Sequence, residues 1–424
     1  MHTGEMKQGI IAGAWNDRIL DIYVDETKLE YQKARYVKAI ELFEQHYGAG
    51  EAEIFSAPGR SEVGGNHTDH QHGEVLAASI NLDTIGVARK TDDNQIRIIS
   101  DDYAEVVISL EDIARKEEEN ATTTALIKGV LAGFTDRGYR IGGFVAYATS
   151  DVLIGAGLSS SAAFETLIGT ILSGLYNEMS VSATTIAIIG QYAENVYFGK
   201  PCGLMDQMAC SVGNLVHIDF ENPLEPIVEK LGFDMGAHGY SLCITDTKGS
   251  HADLTNDYAA VPKEMKMVAA YFGKSVLREV AFSDVLKEIP TLREKCGDRS
   301  VLRALHFYNE NERVQKEVKA LQKEDMQAFL EGVKESGDSS FKYLQNVYSD
   351  RYPDKQPLPT ILALSGYYLK DNGVCRVHGG GFAGTILNIV KNDNLERFIC
   401  SVSKHFGSKN VLPLRVRSCG AKVL

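Results

Sequence analysis

A glycine- and serine-rich turn is the first segment whose composition suggests chemistry. Its sequence, GAGLSSSA at residues 155–162, stands between a predicted strand and a long apolar helix. Glycine lets the backbone approach a ligand closely, and the first amides of a helix are unpaired donors at its positive end. These donors and the serine hydroxyls could bind phosphate and a hard metal ion, although Ser and Gly are also common at ordinary helix starts. The turn is not a P-loop, which requires G-x-x-x-x-G-K followed by Ser or Thr.

Three charged residues could act on such a phosphate group. Asp206 lies in the apolar stretch GLMDQMAC, where a carboxylate needs a partner or a task. It is either a helix cap or a base and orienting acceptor. Glu194, on a predicted helix, is either a solvated residue or a magnesium ligand. Arg60 follows an Ala-Pro-Gly turn and is either a surface cation or a group that stabilises a phosphoryl group in transit.

A histidine-rich loop, GGNHTDHQHG at residues 64–73, allows three interpretations. Its His67, Asp69, His70 and His72 could bind zinc if the bracketing glycines let them converge. A Ser/His/Asp hydrolase is disfavoured, because the G-x-S-x-G elbow is absent from the sequence. The third interpretation is a polar pocket for a hydroxyl-rich ligand, since Asn, His, Thr and Asp offer both donors and acceptors.

A second glycine-rich turn, GGGFAG at residues 379–384, formally fits the dinucleotide pattern G-x-G-x-x-G. The TILNIV that follows has the pattern of a strand, whereas that fingerprint must open a helix. We therefore interpret it as a turn that brings the backbone close to a ligand or to another loop.

The elements that must position these residues alternate unevenly. Residues 26–47 have helical spacing, EAEIFSAPGR reads as a short strand ending in a Pro-Gly turn, and residues 256–350 are mostly helical. Because strands and helices do not alternate regularly along the chain, an α+β fold is favoured over a doubly wound sheet. A chain of 424 residues is too long for one ordinary core. We expect an N-terminal domain over 1–230 and a C-terminal domain over 231–424, with a C-terminal strand able to return to the first.

Charge and cysteine usage narrow the class of protein. The net charge of −13 is spread along the chain, which argues against nucleic acid or an anionic membrane as a partner, since both need clustered Lys and Arg. Seven scattered cysteines without a C-x-x-C pair suit a reducing cytosol better than a disulfide framework. The N-terminus lacks the apolar core of a signal peptide. We expect a cytoplasmic protein that acts on small molecules.

Four motifs, taken in order, resemble those of the galactokinases, members of the GHMP family of small-molecule kinases. They are APGRSEVGGNHTDH, GAGLSSSAAFE, ENVYFGKPCGLMDQ and VHGGGFAG, and the resemblance runs from about residue 50 to the C-terminus. It implies a two-domain α+β fold with mixed sheets, helices packed on them and the active site between the domains. It also implies ATP- and Mg²⁺-dependent phosphorylation of the anomeric C1 hydroxyl of galactose, by a monomer or a weak homo-oligomer.

The resemblance assigns roles to individual positions. Asp206 matches the catalytic Asp that orients or deprotonates the anomeric hydroxyl, and Arg60 matches the Arg that supports it. Ser161 and Glu194 match the magnesium ligands. The ATP phosphate loop corresponds to Gly155, Ala156, Gly157, Leu158, Ser159, Ser160 and Ser161. The sugar contacts correspond to Asn66, His67, Thr68, Asp69, Gly203 and Tyr258.

The chain departs from the family pattern at Asn66, where the family has a Glu that contacts sugar hydroxyls near C6. A Glu would repel a carboxylate at C6, whereas Asn can donate to one. The alternative substrate is therefore galacturonate or another C6-modified hexose. A third hypothesis, a sugar sensor without catalysis, is disfavoured because GLSSSAA and the charged residues are complete. Ala383 replaces a frequent Gly, which requires a negative φ there, and His378 replaces a Thr.

Overall fold

The computed structural model describes residues 1–101, 103–153, 157–249, 254–407 and 410–424, so Gly155 and Ala156 of the predicted phosphate loop lie outside the described residues. The strands are β1 (Glu53–Gly64), β2 (Glu74–Lys90), β3 (Gln95–Ser100), β4 (Val106–Ser109), β5 (Phe144–Ser150), β6 (Leu215–Asp219), β7 (Ile227–Leu231), β8 (Tyr240–Asp246), β9 (Gly373–His378), β10 (Thr385–Lys391), β11 (Val411–Leu414) and β12 (Lys422–Val423). The helices are α1 (Thr3–Ile11), α2 (Asn16–Tyr23), α3 (Leu29–Tyr47), α4 (Thr123–Asp136), α5 (Ser160–Asn177), α6 (Ala183–Tyr192), α7 (Met205–Val212), α8 (Thr255–Tyr271), α9 (Phe282–Lys287), α10 (Ile289–Cys296), α11 (Asp298–Gln322), α12 (Met326–Ser339), α13 (Pro357–Leu369) and α14 (Asn392–Phe406).

Two sheets organise these elements. The first has the order β12-β1-β2-β5-β3-β4, with β6 and β7 added alongside the first part of β2. Among its described strands, only β3 and β5 run parallel. The second is antiparallel with the order β11-β8-β10-β9. Mixed sheets with helices inserted unevenly confirm the α+β class. The chain changes sheet between Leu231 and Tyr240, and β12 comes back to β1 through Phe55 and Val423.

Strand β1 differs from its sequence-based prediction. We expected a short strand ending at Pro58 and Gly59, but the strand continues to Gly64 and its register against β2 shifts between Pro58 and Arg60. Proline is tolerated within a sheet at a bulge, so the Pro-Gly pair kinks the strand and does not end it. As a result, Arg60 and Glu62 lie on a rigid strand inside the protein.

A shared apolar core joins the two sheets. One buried cluster contains Leu76 of β2, Leu158 before α5, Val314 of α11 and Leu387 of β10. Another packs α4, α5 and α6 onto the first sheet, and a third packs α1–α3 onto its opposite face. Because protein interiors are close-packed, residues from both halves of the chain are held in fixed positions where the sheets meet. Within the described part of the chain, the helices are too short or too polar to cross a bilayer.

Candidate active site

An open cavity of about 580 Å³ lies where β1, the loop after it, the start of α7 and the loop after β9 come together. Its walls include several residues that the sequence predicts for sugar binding or catalysis. They are Arg60, His67, Asp69, Gly203 and Asp206. The walls also include Glu62, His70, Cys202, Lys266, Gly379 and Gly380. A concave site with a few convergent polar groups is typical of small-molecule binding.

Arg60 and Asp206 form a two-point ion pair on this wall. Nε of Arg60 lies 2.7 Å from Oδ1 of Asp206, and Nη2 lies 2.8 Å from Oδ2. The hydroxyl of Ser159 also donates to Oδ2. Burial alone would raise the pKa of the Asp206 carboxyl, but Arg60, together with Ser159 and Lys200, outweighs burial and holds that pKa below its ordinary value. The carboxylate is therefore ionised and fixed in orientation.

Asp206 is not the cap of the helix that follows. It lies in the first turn of α7, whose N-cap is Leu204, without a side-chain capping bond. A negative charge in a first turn is favourable to the helix dipole, yet the hydrogen bonds of this carboxylate go to Arg60 and Ser159. Its placement on the cavity wall agrees with the interpretation as an orienting acceptor.

The described part of the serine-rich turn lies against the same ion pair. Helix α5 begins at Ser160, and Ser159 before it has a left-handed φ of 59°. The backbone amide of Arg60 donates to the carbonyl of Leu158 at 3.1 Å, and the guanidinium of Arg60 donates to the carbonyl of Gly157. The positive end of an 18-residue helix therefore points its free amides towards the region next to Asp206, an arrangement that suits anions.

Ser161 and Glu194, the predicted metal ligands, are brought together. Oγ of Ser161 lies 3.2 Å from Oε1 of Glu194. Glu194 belongs to a π-helical turn over Ala193–Phe198 at the end of α6, and such turns often occur at functional sites. Gln207 and Lys200 donate to the same carboxylate, at 2.9 Å each. A hydroxyl and a carboxylate are the hard oxygen donors that Mg²⁺ prefers, so the pair fits a magnesium ion.

The zinc interpretation of the histidine-rich loop is not supported. Among the described residues, His, Cys, Asp and Glu side chains nowhere form a group of three or more that could hold a metal ion. Instead, Nε2 of His67 lies 3.0 Å from the carbonyl of Gly380, and burial lowers the pKa of His67. His70 stands beside it with ring centroids 5.5 Å apart. Both rings face the cavity as neutral polar groups.

Asp69 and Gly203 face each other across the cavity wall. A Cβ added to Gly203 would overlap the Asp69 carboxylate, so only glycine lets the two segments approach this closely. Burial raises the pKa of Asp69 to about 6, partly offset by a hydrogen bond from the backbone amide of His70. These contacts agree with the predicted sugar-binding roles of Asp69 and Gly203.

Three of the predicted sugar contacts lie behind the wall and do not line it. Asn66 and Thr68 are fully buried, and the Thr68 hydroxyl bonds to the carbonyls of Gly65 and Glu74 within the loop. The Tyr258 hydroxyl donates to Gly381 and its ring packs on Phe382. The placement corrects the expectation for Asn66. Its side chain is hydrogen-bonded to Glu62, Gly379, Ser340 and Asn346, so it shapes the cavity and does not face it.

The third glycine motif connects the sugar and phosphate segments. Nε2 of His378 accepts from the backbone amide of Glu62 at 3.1 Å, and its Nδ1 lies 2.9 Å from the Thr385 hydroxyl. Thr385 and His378 both lie next to Gly157. Phe382 has a left-handed φ of 56°, whereas Ala383 is absent from the positive-φ residues among those described, as its side chain requires.

Sequence reasoning missed Glu62 as a cavity residue. It is 4% exposed, yet it lines the cavity two residues after Arg60. The signal was present, because residues two apart on a strand share a face. It went unused because the predicted strand ended at Gly59.

Comparison with solved structures shows which fold the chain has. Galactokinase from Lactococcus lactis, complexed with galactose, matches with a TM-score of 0.77 and 23% identity, over 91% of this chain and 98% of that one. A mevalonate kinase matches with a TM-score of 0.58 and 15% identity, over 85% of this chain and 98% of that one. A family model described as the N-terminal domain of GHMP kinases matches residues 125–214. The chain has the fold of the GHMP kinases.

Sequence relatives identify the family within that class. The galactokinase galactose-binding signature matches residues 41–90. A galactokinase of Actinobacillus pleuropneumoniae serotype 3 is 31% identical over 364 residues, which cover 84% of this chain and 90% of the relative. One of Streptomyces coelicolor is 28% identical over 381 residues, covering 89% and 94%. The chain belongs to the galactokinase family.

Proposed function

We propose that this protein transfers the γ-phosphoryl group of ATP to the C1 hydroxyl of galactose. The observation that carries the proposal is the ion pair of Arg60 and Asp206. It stands on the wall of a cavity of about 580 Å³, large enough for a hexose, and it also contacts the turn that opens α5. The sugar side and the phosphate side of a kinase thus meet at one carboxylate.

Asp206 orients the sugar hydroxyl in this mechanism. Arg60 keeps the carboxylate ionised, and an ionised carboxylate has lone pairs to spare for a hydroxyl proton. The bond from the sugar oxygen to the γ-phosphorus forms as the bond to the bridging oxygen of ADP breaks, and the hydroxyl proton passes to Asp206. Because phosphoryl transfer has a loose transition state, catalysis is mainly positioning and charge stabilisation. Arg60 supplies part of the positive charge.

Magnesium and ATP complete the phosphate side. Ser161 and Glu194 would hold the ion, which supplies charge that neutralises the ATP phosphates. The amides at the start of α5 and the turn at 155–161 bind the phosphate oxygens. Lys200 donates to Glu194 at 2.9 Å and adds a further cation next to this site.

Galactose is a better substrate for this cavity than galacturonate. The sequence-based alternative required Asn66 to donate to a carboxylate at C6, but the Asn66 amide donates instead to Glu62 and to the carbonyl of Gly379. The cavity wall carries three carboxylates, those of Glu62, Asp69 and Asp206. Against them stand Lys266 and Arg60, and Arg60 is already paired with Asp206. An anionic sugar would meet like charges there.

A coupled assay of ADP release tests the proposal. Galactose should stimulate ADP release strongly in the presence of Mg²⁺, and galacturonate at equal concentration should not. Asp206→Asn, which keeps the size of the side chain, should abolish most of the turnover. A wild-type protein that releases no ADP with galactose and Mg²⁺ would contradict the proposal and favour the non-catalytic sensor. An Asp206→Asn variant with full activity would contradict the role given to Asp206.

We infer that the reaction takes place in the cytoplasm. This location is supported by the cysteines, which are all free thiols in the structure and scattered along the sequence as in proteins of reducing compartments.

A further inference from the structure

We propose that Glu62 is the residue that selects the substrate at C6, by accepting a hydrogen bond from the C6 hydroxyl of the hexose. The inference rests on the proposed sugar kinase function and deepens it. Contact with the substituent at C6, which the sequence assigned to Asn66, is thereby assigned to Glu62.

The side chain of Asn66 is buried, and its amide nitrogen and oxygen are both hydrogen-bonded inside the protein. Its Nδ2 donates to Oε1 of Glu62 at 2.8 Å and to the carbonyl of Gly379 at 2.7 Å. Its Oδ1 accepts from Asn346 at 2.8 Å and from Ser340 at 3.1 Å. Its relative exposure is 0%. Contact with a sugar would require breaking bonds to a buried amide, which is costly, so Asn66 acts by holding Glu62.

Glu62 presents one free oxygen to the cavity. Its Oε1 accepts from Asn66 and from Nη2 of Arg376, each at 2.8 Å. Arg376 is itself fully buried and is fixed by the carbonyls of Val63 and Val377. Among the described residues no hydrogen-bond donor reaches Oε2, and Glu62 lines the cavity. One carboxylate oxygen is therefore anchored, and the other is left for a ligand.

The position of Glu62 along β1 matches the far end of a hexose. Arg60 pairs with Ser79 and Glu62 with Ala77 in unbroken register, so both side chains point to the same face. Two residues of a strand span about 6.6 Å, comparable with the distance between the two ends of a hexopyranose. With C1 held at Asp206 beside Arg60, Glu62 faces the end that carries the exocyclic C6 hydroxyl.

Other sugar-binding residues lie within the electrostatic range of Glu62. Burial is the main influence on the pKa of both His67 and Asp69, and the negative charge of Glu62 acts on both groups as well. Glu62 also acts on Arg60. It belongs to the same polar surface as the predicted sugar contacts.

Glu62→Gln tests the assignment with galactose and 6-deoxygalactose as paired substrates. Glutamine keeps an oxygen for Asn66 and Arg376 but replaces Oε2 by a donor. A hydrogen bond to a charged group predicts that the wild type favours galactose in kcat/KM by about 10- to 100-fold. In Glu62→Gln the preference should fall to about fivefold, because the remaining advantage of the hydroxyl is a neutral hydrogen bond.

Glu310→Gln is the matched control. Glu310 is another buried carboxylate, which accepts from the backbone amides of Gly65 and Asn66 behind the cavity wall. Its replacement should lower kcat/KM for both sugars by the same factor and leave the preference as in the wild type. If Glu62→Gln folds poorly, Glu62→Asp, which withdraws the carboxylate by one methylene, should also reduce the preference.

The outcomes separate this inference from the function on which it rests. If the wild type releases no ADP with galactose, the proposed function fails and this inference fails with it. If the wild type phosphorylates galactose but Glu62→Gln and Glu62→Asp retain the wild-type preference over 6-deoxygalactose, the assignment of Glu62 alone is overturned.

Discussion

The guanidinium of Arg60 and the carboxylate of Asp206 meet in a parallel, two-point ion pair, with N–O distances of 2.7 and 2.8 Å. Arg60 lies on β1 and Asp206 at the start of α7, so the pair joins the sheet to a helix at the cavity wall. Such a planar geometry requires arginine, because a lysine ammonium cannot donate twice in parallel.

Arg60→Lys keeps the positive charge, but it should still lower kcat strongly because it loses the two-point geometry. Loss of the fixed geometry should lower kcat by about 10²-fold, while galactose affinity changes little. Stopped assays of ADP release at saturating galactose and ATP measure the effect. Arg278→Lys, at an ion pair with Asp219 outside the active site, is the control and should retain kcat. A similar kcat for both variants would contradict the role of the two-point pair.

The raised pKa of Asp69 predicts a pH dependence of sugar binding. Since burial raises this pKa to about 6, the carboxyl becomes protonated as the pH falls through 6 and loses acceptor capacity. KM for galactose should rise below pH 6, whereas kcat should hold to lower pH because the pKa of Asp206 is lowered. The same titration in Asp69→Asn should give a higher KM that no longer changes near pH 6.

The buried carboxyl of Asp69 should also lower the free energy of unfolding at neutral pH. A folded-state pKa above the unfolded value means that the native state binds more protons between about pH 4 and 6, so stability falls as the pH rises through this range. Asp69→Asn should raise the melting temperature at pH 7.5 but not at pH 4. Thermal denaturation at the two values measures the difference, and an equal change at both would argue against a raised pKa.

A side chain added at Gly203 should weaken the binding of sugar but not of ATP. In Gly203→Ala the new Cβ would overlap the Asp69 carboxylate and displace it from the cavity. KM for galactose should rise at least about tenfold, a change worth 1.4 kcal/mol, while KM for ATP stays near the wild-type value. Gly232→Ala is the control, since its Cβ would meet no atom within 4 Å. Equal effects of both substitutions would exclude the steric explanation.

Substitutions at Ser161 and Glu194, the proposed magnesium ligands, should change the Mg²⁺ concentration that the enzyme requires. Removing the hydroxyl in Ser161→Ala should raise the Mg²⁺ concentration for half-maximal activity, and Glu194→Gln should raise it further, because a carboxylate contributes charge as well as an oxygen. A titration of Mg²⁺ at fixed ATP measures both. Neither change should alter KM for galactose, since both residues lie on the phosphate side. A Mg²⁺ curve identical to that of the wild type would argue against these ligands.

Local patterns predicted the elements that depend on nearby residues. The apolar spacing after GAGLSSSA predicted α5, the β-branched TILNIV predicted β10, and the uneven order of elements predicted the α+β class. Each of these signals lies within the element itself. Asp206 was also identifiable as a candidate site residue, because a carboxylate in an apolar stretch requires a partner or a task.

The partners of those charges could not be predicted from local patterns. Asn66 turns inward because Ser340 and Asn346, far along the chain, supply the hydrogen bonds that an amide needs when it is buried. Glu62 could be found only once β1 was known to continue past Pro58, and that continuation depends on pairing with β2. Both features are set by long-range contacts, which the spacing of neighbouring residues does not encode.

The pairing of β12 with β1 has a consequence for the order of folding. Phe55 and Ser56 of β1 find their edge partners only at Val423 and Lys422, and Arg417 donates to the buried hydroxyl of Ser56. During synthesis, the strand that carries Arg60 stays without this edge until residues 422 and 423 have been made. Contacts so distant in sequence form slowly. The nascent chain can therefore add β12 to the sheet only after translation has delivered both halves of the active site.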